Sequence, residues 1–368
     1  MHDDARRGKT ELGDDDLGDD RDFPGRNQHP FRIFESDQSK IIAMFENLDK
    51  KTGVLLVNLG SPASTGTQDV RAFLREFLGD PRVVNLPRPL WWLILNLFIL
   101  PFRPRKSAHA YKTIWTEKGS PLIVFSQQLA AKLAKRYANE KLLIDCAMRY
   151  GKPALREKLQ AFKKQGVEDV VILPLYPQYS STTTASIFDV VADEFVRWRH
   201  MPSLRFVSDY YRNPAYIKAV ADSIRQHWLN HGQAALLVMS FHGLPAKLTE
   251  WGDPYFHHCQ ATARLLADEL GLKDKQWQLV FQSRFGRAEW LKPYCVEVLQ
   301  DLPKQDIRQV DVVCPGFAVD CLETLEEIAI TNKEIFMAAG GKSYRYIPAL
   351  NDCDAHVEVM AELIKSAR

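Results

Sequence analysis

Short β-branched and apolar runs alternate with longer amphipathic stretches from residue 53 to the end of the chain. This order predicts βαβ units, and therefore an α/β fold with mostly parallel sheets flanked by helices. The predicted strands cover residues 54–59, 142–148, 170–175, 204–208, 235–240, 278–282, 310–314 and 344–347.

Amphipathic periodicity predicts helices between these strands, among them 153–164, 291–302, 322–337 and 354–365. Several of them carry proline at or near the first turn, where the missing N–H has no helical partner to lose. None of the predicted strands is followed by a G-x-G-x-x-G or Walker motif, so the sequence does not support a nucleotide cofactor.

The two halves of the pattern echo each other. Arg149-Tyr150-Gly151-Lys152-Pro153 recurs as Arg284-Phe285-Gly286, with Lys292-Pro293 a few residues further on. The echo predicts a diverged duplication, with two similar Rossmann-like domains over 51–205 and 206–368 and a ligand cleft between them. We expect the last helix to pack back on the first half.

Composition narrows the class of protein. A chain of 368 residues with 46% hydrophobic content can form two cores, and a net charge of +2 gives no field that would attract nucleic acid. The six cysteines contain no C-x-x-C pair, which favours a reducing cytosol. Acidic clusters in residues 1–50 predict a disordered tail rather than a signal or transit peptide.

One apolar run, from Leu90 to Leu100, is closed by Pro101 and followed by Arg103, Arg105 and Lys106. It is far shorter than the ~20 residues of a membrane-spanning helix. Tryptophans flanked by basic residues favour an apolar lip over 88–106 that touches a lipid surface or a greasy ligand. A buried core helix fits the same length.

A histidine follows the apolar strand 235–239, in Ser240-Phe241-His242-Gly243-Leu244-Pro245. The carboxyl ends of strands are where α/β folds collect their active sites. The imidazole of His242 could accept a proton or bind a metal, and Gly243 leaves room for a flat ligand. A packed structural histidine is the alternative for this motif alone.

Three acidic residues near the start of a predicted helix have helical spacing. Asp320, Glu323 and Glu327 fall on one face of the helix predicted over 322–337 and its start. They could carry hydrated cations or protons along that face. Acids in a first turn also complement the helix dipole, and Asp320 could be an N-cap.

Taken in order, these segments resemble the ferrochelatase family from about residue 52 to the C-terminus. The matching motifs are Leu56-Val57-Asn58-Leu59-Gly60-Ser61-Pro62, Gly119-Ser120-Pro121-Leu122, Ala147-Met148-Arg149-Tyr150, Leu173-Pro174-Leu175-Tyr176-Pro177-Gln178-Tyr179-Ser180, Ser240-Phe241-His242-Gly243-Leu244-Pro245, Gln282-Ser283-Arg284-Phe285-Gly286 and Pro315-Gly316-Phe317-Ala318-Val319-Asp320-Cys321-Leu322-Glu323-Thr324. The resemblance implies the chelatase fold and iron insertion into protoporphyrin, the terminal step of haem synthesis.

The resemblance also implies the roles of individual residues. His242 matches the family's active-site histidine, Glu323 the carboxylate that faces it, and Glu327 the next acid on the metal side. We expect His242 to take pyrrole protons, with Glu327 and Asp320 passing protons or metal along the helix. Positions implied to line the porphyrin are Leu59, Arg149, Tyr150, Tyr179, Trp290 and Phe317.

Ferrous iron is implied as a substrate, with no permanently bound cofactor. Cys321 stands where many relatives have a histidine, and no cysteine cluster follows Cys353, so no iron–sulfur cluster is expected. The implied partners are porphyrin, iron and a membrane surface, with no nucleic acid, and the oligomeric state is left open. The implied location is the cytoplasm, with peripheral association at the inner membrane.

Two alternatives fit parts of the pattern. A chelatase with another substrate, such as a cobalt chelatase or one acting on coproporphyrin, would share the motifs. A non-catalytic haem or porphyrin carrier would keep an aromatic pocket but would have no use for Glu323 opposite His242.

Overall fold

A computed structural model describes residues 50–286 and 288–368. The predicted tail over 1–50 lies outside the described residues except for its last position. Two four-stranded sheets organise the described chain, with strand orders β2-β1-β3-β4 and β6-β5-β7-β8, and all neighbouring strands are parallel. The strands are β1 (Thr52–Ser61), β2 (Leu142–Gly151), β3 (Asp169–Pro174), β4 (Ser203–Phe206), β5 (Leu236–His242), β6 (Trp277–Gln282), β7 (Gln309–Val313) and β8 (Ser343–Ile347).

Helices flank both sheets. The α-helices are α1 (Thr67–Gly79), α2 (Arg88–Ile94), α3 (Leu100–Ile114), α4 (Pro121–Arg136), α5 (Leu155–Lys164), α6 (Thr184–Phe195), α7 (Pro214–His231), α8 (Lys247–Glu250), α9 (Tyr255–Leu270), α10 (Cys295–Asp301), α11 (Lys333–Ala338) and α12 (Asp354–Ala367). Two π-helices, π1 (Leu95–Ile99) and π2 (Glu323–Asn332), and a 3₁₀ turn (Leu302–Gln305) complete the set. The prediction of two α/β halves with parallel sheets is therefore confirmed.

The central strands are buried on both faces. Val54, Leu55, Leu56 and Val57 of β1 have no exposed surface, and Val238 and Met239 of β5 have none either. One face of each sheet packs against its own helices, while the other faces contribute to a core that both halves share. Burial on both faces explains why these strands read as uninterrupted apolar runs in the sequence.

The two halves repeat a local arrangement as well as a strand order. In the first half the Met148 N–H donates to the Pro153 carbonyl at 2.7 Å, and in the second the Phe281 N–H donates to the Pro293 carbonyl at 2.8 Å. Both Lys-Pro peptide bonds are cis. The sequence echo thus marks equivalent turns that return to the ends of equivalent strands, β2 and β6.

Two predicted helix starts are wrong, and one predicted α-helix is largely of another type. The helices expected at 153 and 291 begin at Leu155 and Cys295, because the chain around each Lys-Pro first bonds back to its strand. The helix expected over 322–337 is a π-helix, π2, followed by the short α11. Apolar periodicity does not distinguish i→i+5 from i→i+4 hydrogen bonding over so few turns.

The apolar lip is a helical segment made of α2, π1 and the start of α3. Trp91 is buried and its indole N–H donates to the Leu78 carbonyl at 2.6 Å, so the prediction that it belongs to the exposed surface is wrong. Trp92, Phe98 and Phe102 are 62%, 65% and 73% exposed. The lip is amphipathic: one face anchors it to α1, and the other presents aromatic rings to solvent. No helix in the described part of the chain is both long and apolar enough to cross a membrane.

The C-terminal helix α12 packs against α4 of the first half and α7 of the second. The Tyr137 hydroxyl donates to the Ala361 carbonyl at 3.2 Å, and Lys132 pairs with Asp352 at 3.0 Å. On α12, His356 is completely buried, and its Nδ1–H donates to the Asn351 carbonyl at 2.5 Å. Burial lowers the pKa of His356 from 6.5 to about 4.

This buried histidine makes stability depend on pH. The unfolded chain binds a proton at His356 below pH 6.5, whereas the folded chain does so only near pH 4, so stability falls as the pH drops through that window. The cost reaches roughly 3 kcal/mol at pH 4. Urea unfolding at pH 7 and pH 4 should show that His356→Asn loses less stability on acidification than the wild type.

The exposed His200 supplies the control, because His200→Asn should leave the pH dependence unchanged. An identical acid sensitivity of His356→Asn and wild type would show that His356 does not contribute.

Candidate active site

His242 is the last residue of β5 and is half-buried. Its Nδ1 lies 2.7 Å from the Gly243 carbonyl oxygen. Since a carbonyl oxygen only accepts hydrogen bonds, the hydrogen-bond pattern assigns the proton of the neutral ring to Nδ1. The lone pair of Nε2 is then available to accept a proton.

Gly243 holds this turn against β6. Its N–H donates to the Gln282 carbonyl at 2.8 Å. A Cβ at this position would lie 2.6 Å from the same carbonyl oxygen and 3.3 Å from Cε3 of Trp290, so a larger residue would push the strand end away. The glycine therefore permits the close approach that places the Trp290 ring beside residues 242 and 243.

Gln282 joins His242 to the helix that carries the acids. It lies opposite His242 in the β5–β6 register and is only 2% exposed. Its Oε1 accepts from the Ser240 hydroxyl at 2.8 Å, and its Nε2 donates to the Glu323 carbonyl at 2.9 Å. One buried amide thus links the end of β5 to the first residue of π2.

Glu327 is the best-held acid of this helix. Its carboxylate accepts from the Ser283 N–H at 2.7 Å and the Ser283 hydroxyl at 2.5 Å. Burial raises the pKa of Glu327; the Ser283 hydrogen bonds and the charge of His242 oppose this increase, and the charge of Glu323 adds to it. His242, Glu323 and Glu327 therefore lie within one electrostatic cluster.

A cavity of about 80 Å³ borders Glu323, whereas His242 and Glu327 are not among its lining residues. Glu323 and Cys321 line it from π2 and the turn before it, and the first half contributes Leu59 and Arg103. Its volume is well below the roughly 300–1,000 Å³ of pockets that hold drug-sized ligands. The lip, whose helix α3 packs against π2, closes the cavity on one side.

Arg103 is a site residue that sequence reasoning placed only in the basic flank of the lip. Within the described residues its guanidinium has no hydrogen-bond or ion-pair partner; it lies 4.8 Å above the Phe285 ring. Burial lowers the pKa of Arg103, and the negative charge of Glu323 opposes the decrease. The spacing of basic residues gave no sign that this one alone turns inward.

Arg149, the basic residue assigned to the pocket, is engaged within the protein. It pairs with Asp80 at 2.5 Å, and its Nε donates to the Ser186 hydroxyl at 2.7 Å. The buried Tyr150 hydroxyl donates to the same Asp80 carboxylate at 2.8 Å. These groups form a closed cluster at the end of α1, which is the element that anchors Trp91.

The other predicted lining residues occupy different walls. Leu59, on β1, lines the cavity. Phe317 lies in the loop after β7, is half-buried, and packs against two hydrophobic clusters, the shared core and the core of the second half. Tyr179 lies in the loop after β3, with its N–H donating to His258 Nδ1 at 3.3 Å, and burial raises its pKa. Trp290 is half-buried, and its indole N–H has no partner among the described residues.

Asp320 does not share a helical face with Glu323 and Glu327, so that prediction is wrong. It precedes π2, is buried, and its carboxylate accepts from the Tyr346 hydroxyl at 2.6 Å and from the Asn351 amide at 2.7 Å. Its hydrogen bonds are directed into the protein. Cys321, which is buried, lies between Asp320 and Glu323, and burial together with the charge of Glu323 raises the pKa of its thiol.

Comparison with known proteins identifies a family. A family model described as Ferrochelatase matches residues 51–368. A protein named Ferrochelatase from Methylococcus capsulatus is 57% identical over 317 residues, which cover 86% of this chain and 96% of that protein. One from Aeromonas hydrophila is 52% identical over 316 residues, covering 85% and 98%.

Solved structures share the fold at low identity. SirB from Bacillus subtilis with Fe³⁺ superposes with a TM-score of 0.53 at 13% identity, covering 86% of this chain and 95% of that one. DR2241 from Deinococcus radiodurans, described as similar to chelatases, gives a TM-score of 0.50 at 12% identity, covering 86% and 56%. These likenesses support the chelatase fold.

Proposed function

The chain belongs to the ferrochelatase family and inserts ferrous iron into protoporphyrin in haem synthesis, and for this reaction we propose that His242 and Glu323 are its catalytic pair. The reaction breaks two pyrrole N–H bonds, releases both protons and binds iron to the ring nitrogens. The protein therefore needs a base that takes up the pyrrole protons and a side chain that faces the entering metal. The observation that carries the proposal is geometric: the buried Gln282 lies opposite His242 in the strand register and donates to the Glu323 carbonyl at 2.9 Å.

In this proposal His242 accepts the pyrrole protons at Nε2. Its Nδ1–H is committed to the Gly243 carbonyl, so the ring keeps its orientation while Nε2 gains a proton. Glu323 meets the entering iron because a carboxylate is a suitable oxygen ligand and this one borders the cavity. Glu327, whose pKa burial raises, can hold a proton that leaves the site.

The macrocycle would lie against the aromatic wall at Trp290. A planar porphyrin cannot take up iron until the ring bends, so binding that favours a bent ring lowers the barrier. The space beside Glu323 is too small for a macrocycle as it stands, so the lip has to move away from π2 for porphyrin to enter. Trp91 and Arg88 hold the first part of the lip to α1, by donating to the carbonyls of Leu78 and Gly79.

The catalytic pair is tested by substitution. His242→Ala removes the proton acceptor and should lower turnover of iron insertion by roughly 10²- to 10⁴-fold. Glu323→Gln should also lower turnover, because it removes the charge that faces iron. Porphyrin binding, measured by fluorescence titration, should persist in both variants.

Glu326→Gln is the matched control, since Glu326 lies on the same helix but accepts a hydrogen bond from Thr331. It should retain wild-type turnover. Near-normal iron insertion by His242→Ala or Glu323→Gln would refute the proposed pair.

Arg103 is proposed to bind a substrate carboxylate. It is a half-buried cation at the cavity with no protein acceptor among the described residues, whereas the guanidinium of Arg149 is already paired. Arg103→Ala should raise the KM for protoporphyrin roughly tenfold, the loss expected for a charged hydrogen bond, with a smaller effect on kcat.

The exposed neighbour Arg105 gives the control, because Arg105→Ala should leave the KM unchanged. A porphyrin dimethyl ester should be insensitive to Arg103→Ala. An unchanged KM for the free acid, or an equal change for the ester, would exclude this contact.

The lip is proposed to bind a membrane surface peripherally. Its exposed rings, Trp92, Phe98 and Phe102, lie on a segment flanked by Arg88, Arg105 and Lys106, a combination that favours anionic lipid interfaces. Such a surface would also be the source of a poorly water-soluble porphyrin. In this proposal the protein lies in the cytoplasm, and the lip approaches the lipid from that side of the membrane.

Substituting Trp92, Phe98 and Phe102 together by serine should weaken binding to phosphatidylglycerol-containing liposomes by at least roughly tenfold, because three aromatic side chains no longer leave water. The matched control replaces Val196, Met201 and Leu229, which are exposed outside the lip, by serine. Equal liposome binding by both triple variants would remove the membrane role of the lip.

A further inference from the structure

Asp320 precedes π2, the helix that carries Glu323, and its hydrogen bonds hold the start of that helix. It is 3% exposed, and its Oδ1 accepts from the Tyr346 hydroxyl at 2.6 Å and from the Thr324 hydroxyl at 2.9 Å. The Cys321 N–H in turn donates to the Thr324 hydroxyl oxygen at 2.9 Å. Asp320 and Thr324 therefore fix the first turn of π2, and Glu323 directly precedes Thr324 in that turn.

A single side chain outside this helix holds Asp320 at two points. The Asn351 Nδ2 donates to Asp320 Oδ2 at 2.7 Å, and the Asn351 Oδ1 accepts from the Asp320 N–H at 2.8 Å. A carboxamide carries a donor and an acceptor on one planar, uncharged group, which matches these two contacts. An aspartate at 351 could not donate and would face a second carboxylate.

The backbone at Asn351 is also specific. Its φ is +51°, in the left-handed region that asparagine tolerates better than most residues. The Asn351 N–H donates to the Ala318 carbonyl at 3.1 Å, and the Asn351 carbonyl accepts from the buried His356. Backbone and side chain of residue 351 are thus both committed, so the amide has one fixed position.

The loop that carries Asn351 connects this turn to the first half of the protein. It leads into α12, which packs on α4, and Asp352 in the same loop pairs with Lys132 of α4. The first half also supplies Leu59 and Arg103 to the cavity wall that faces Glu323. Asn351 therefore lies where the position of π2 is set relative to the opposite wall.

We propose that Asn351 is a positioning residue for iron insertion: its amide fixes Asp320, and through Thr324 it sets where the Glu323 carboxylate stands in the cavity. This inference rests on the proposed role of Glu323. Asn351 touches neither porphyrin nor iron, and it acts only through the start of π2.

The test is Asn351→Gly, because glycine accepts φ near +51° and the variant removes the amide without adding backbone strain. A displaced carboxylate should lower kcat for iron insertion roughly 10- to 100-fold. Porphyrin affinity by fluorescence titration should stay at the wild-type value, since the aromatic wall and Arg103 are unchanged. Kinetics are measured well below the melting temperature of each variant.

Asp306→Gly is the matched control. Asp306 also has a positive φ, of +65°, but it is exposed in the turn before β7 and pairs with Arg308. This variant should keep wild-type kcat. If Asn351→Gly also keeps wild-type kcat, or if its loss appears only as a weaker porphyrin affinity, the positioning role is overturned.

A double-variant cycle separates the inference from the proposal it rests on. If Asn351 acts through Glu323, adding Asn351→Gly to Glu323→Gln should cause little further loss of kcat. Losses that multiply in the double variant would mean that Asn351 supports the fold by another route. Normal activity of Glu323→Gln alone would instead defeat the proposed function of Glu323.

Discussion

The buried side chain of Gln282 sets the distance on which the site depends. It accepts from Ser240 at the end of β5 and donates to the carbonyl of Glu323 at the start of π2. An amide in a dry core has no water to replace a lost partner, so all its hydrogen bonds must be satisfied together. This requirement holds the imidazole of His242 and the acids of π2 in one fixed relation.

Around that link, the acids at and just before the start of π2 differ in their partners. Asp320 is held by Asn351 and Tyr346, and Glu327 by Ser283, whereas Glu323 borders the cavity. Wider turns of a π-helix are frequent at functional sites, and here the π-helix carries both Glu323 and Glu327. Asp320 and Glu327 are therefore committed to donors within the protein, and Glu323 between them is the acid that borders the cavity.

Two partly buried arginines show that the partners of a cation, rather than its charge alone, determine its role. Arg149 and Arg103 are both partly buried, but Arg149 is neutralised by Asp80, while among the described residues Arg103 lies over the Phe285 ring and near the charge of Glu323. A buried cation without an acceptor favours binding of an anion, and an already paired one does not. The Asp80 cluster instead stabilises the end of α1, against which Trp91 anchors the lip.

The sequence by itself determined the alternation of strands and helices, the duplicated turns after β2 and β6, and the segments that contain His242, Glu323 and Glu327, since apolar periodicity and local motifs are properties of neighbouring residues. Tertiary structure alone decided that Trp91 faces inward, that Asp320 is a structural acid, that residues 323–332 are a π-helix, and that Arg149 is paired with Asp80 while Arg103 turns toward the cavity. Each of these depends on partners distant in the chain: Leu78 for Trp91, Asn351 for Asp320, and Asp80 for Arg149. A local pattern states which side chains can donate, accept or carry charge, but their partners are chosen only when the halves pack together.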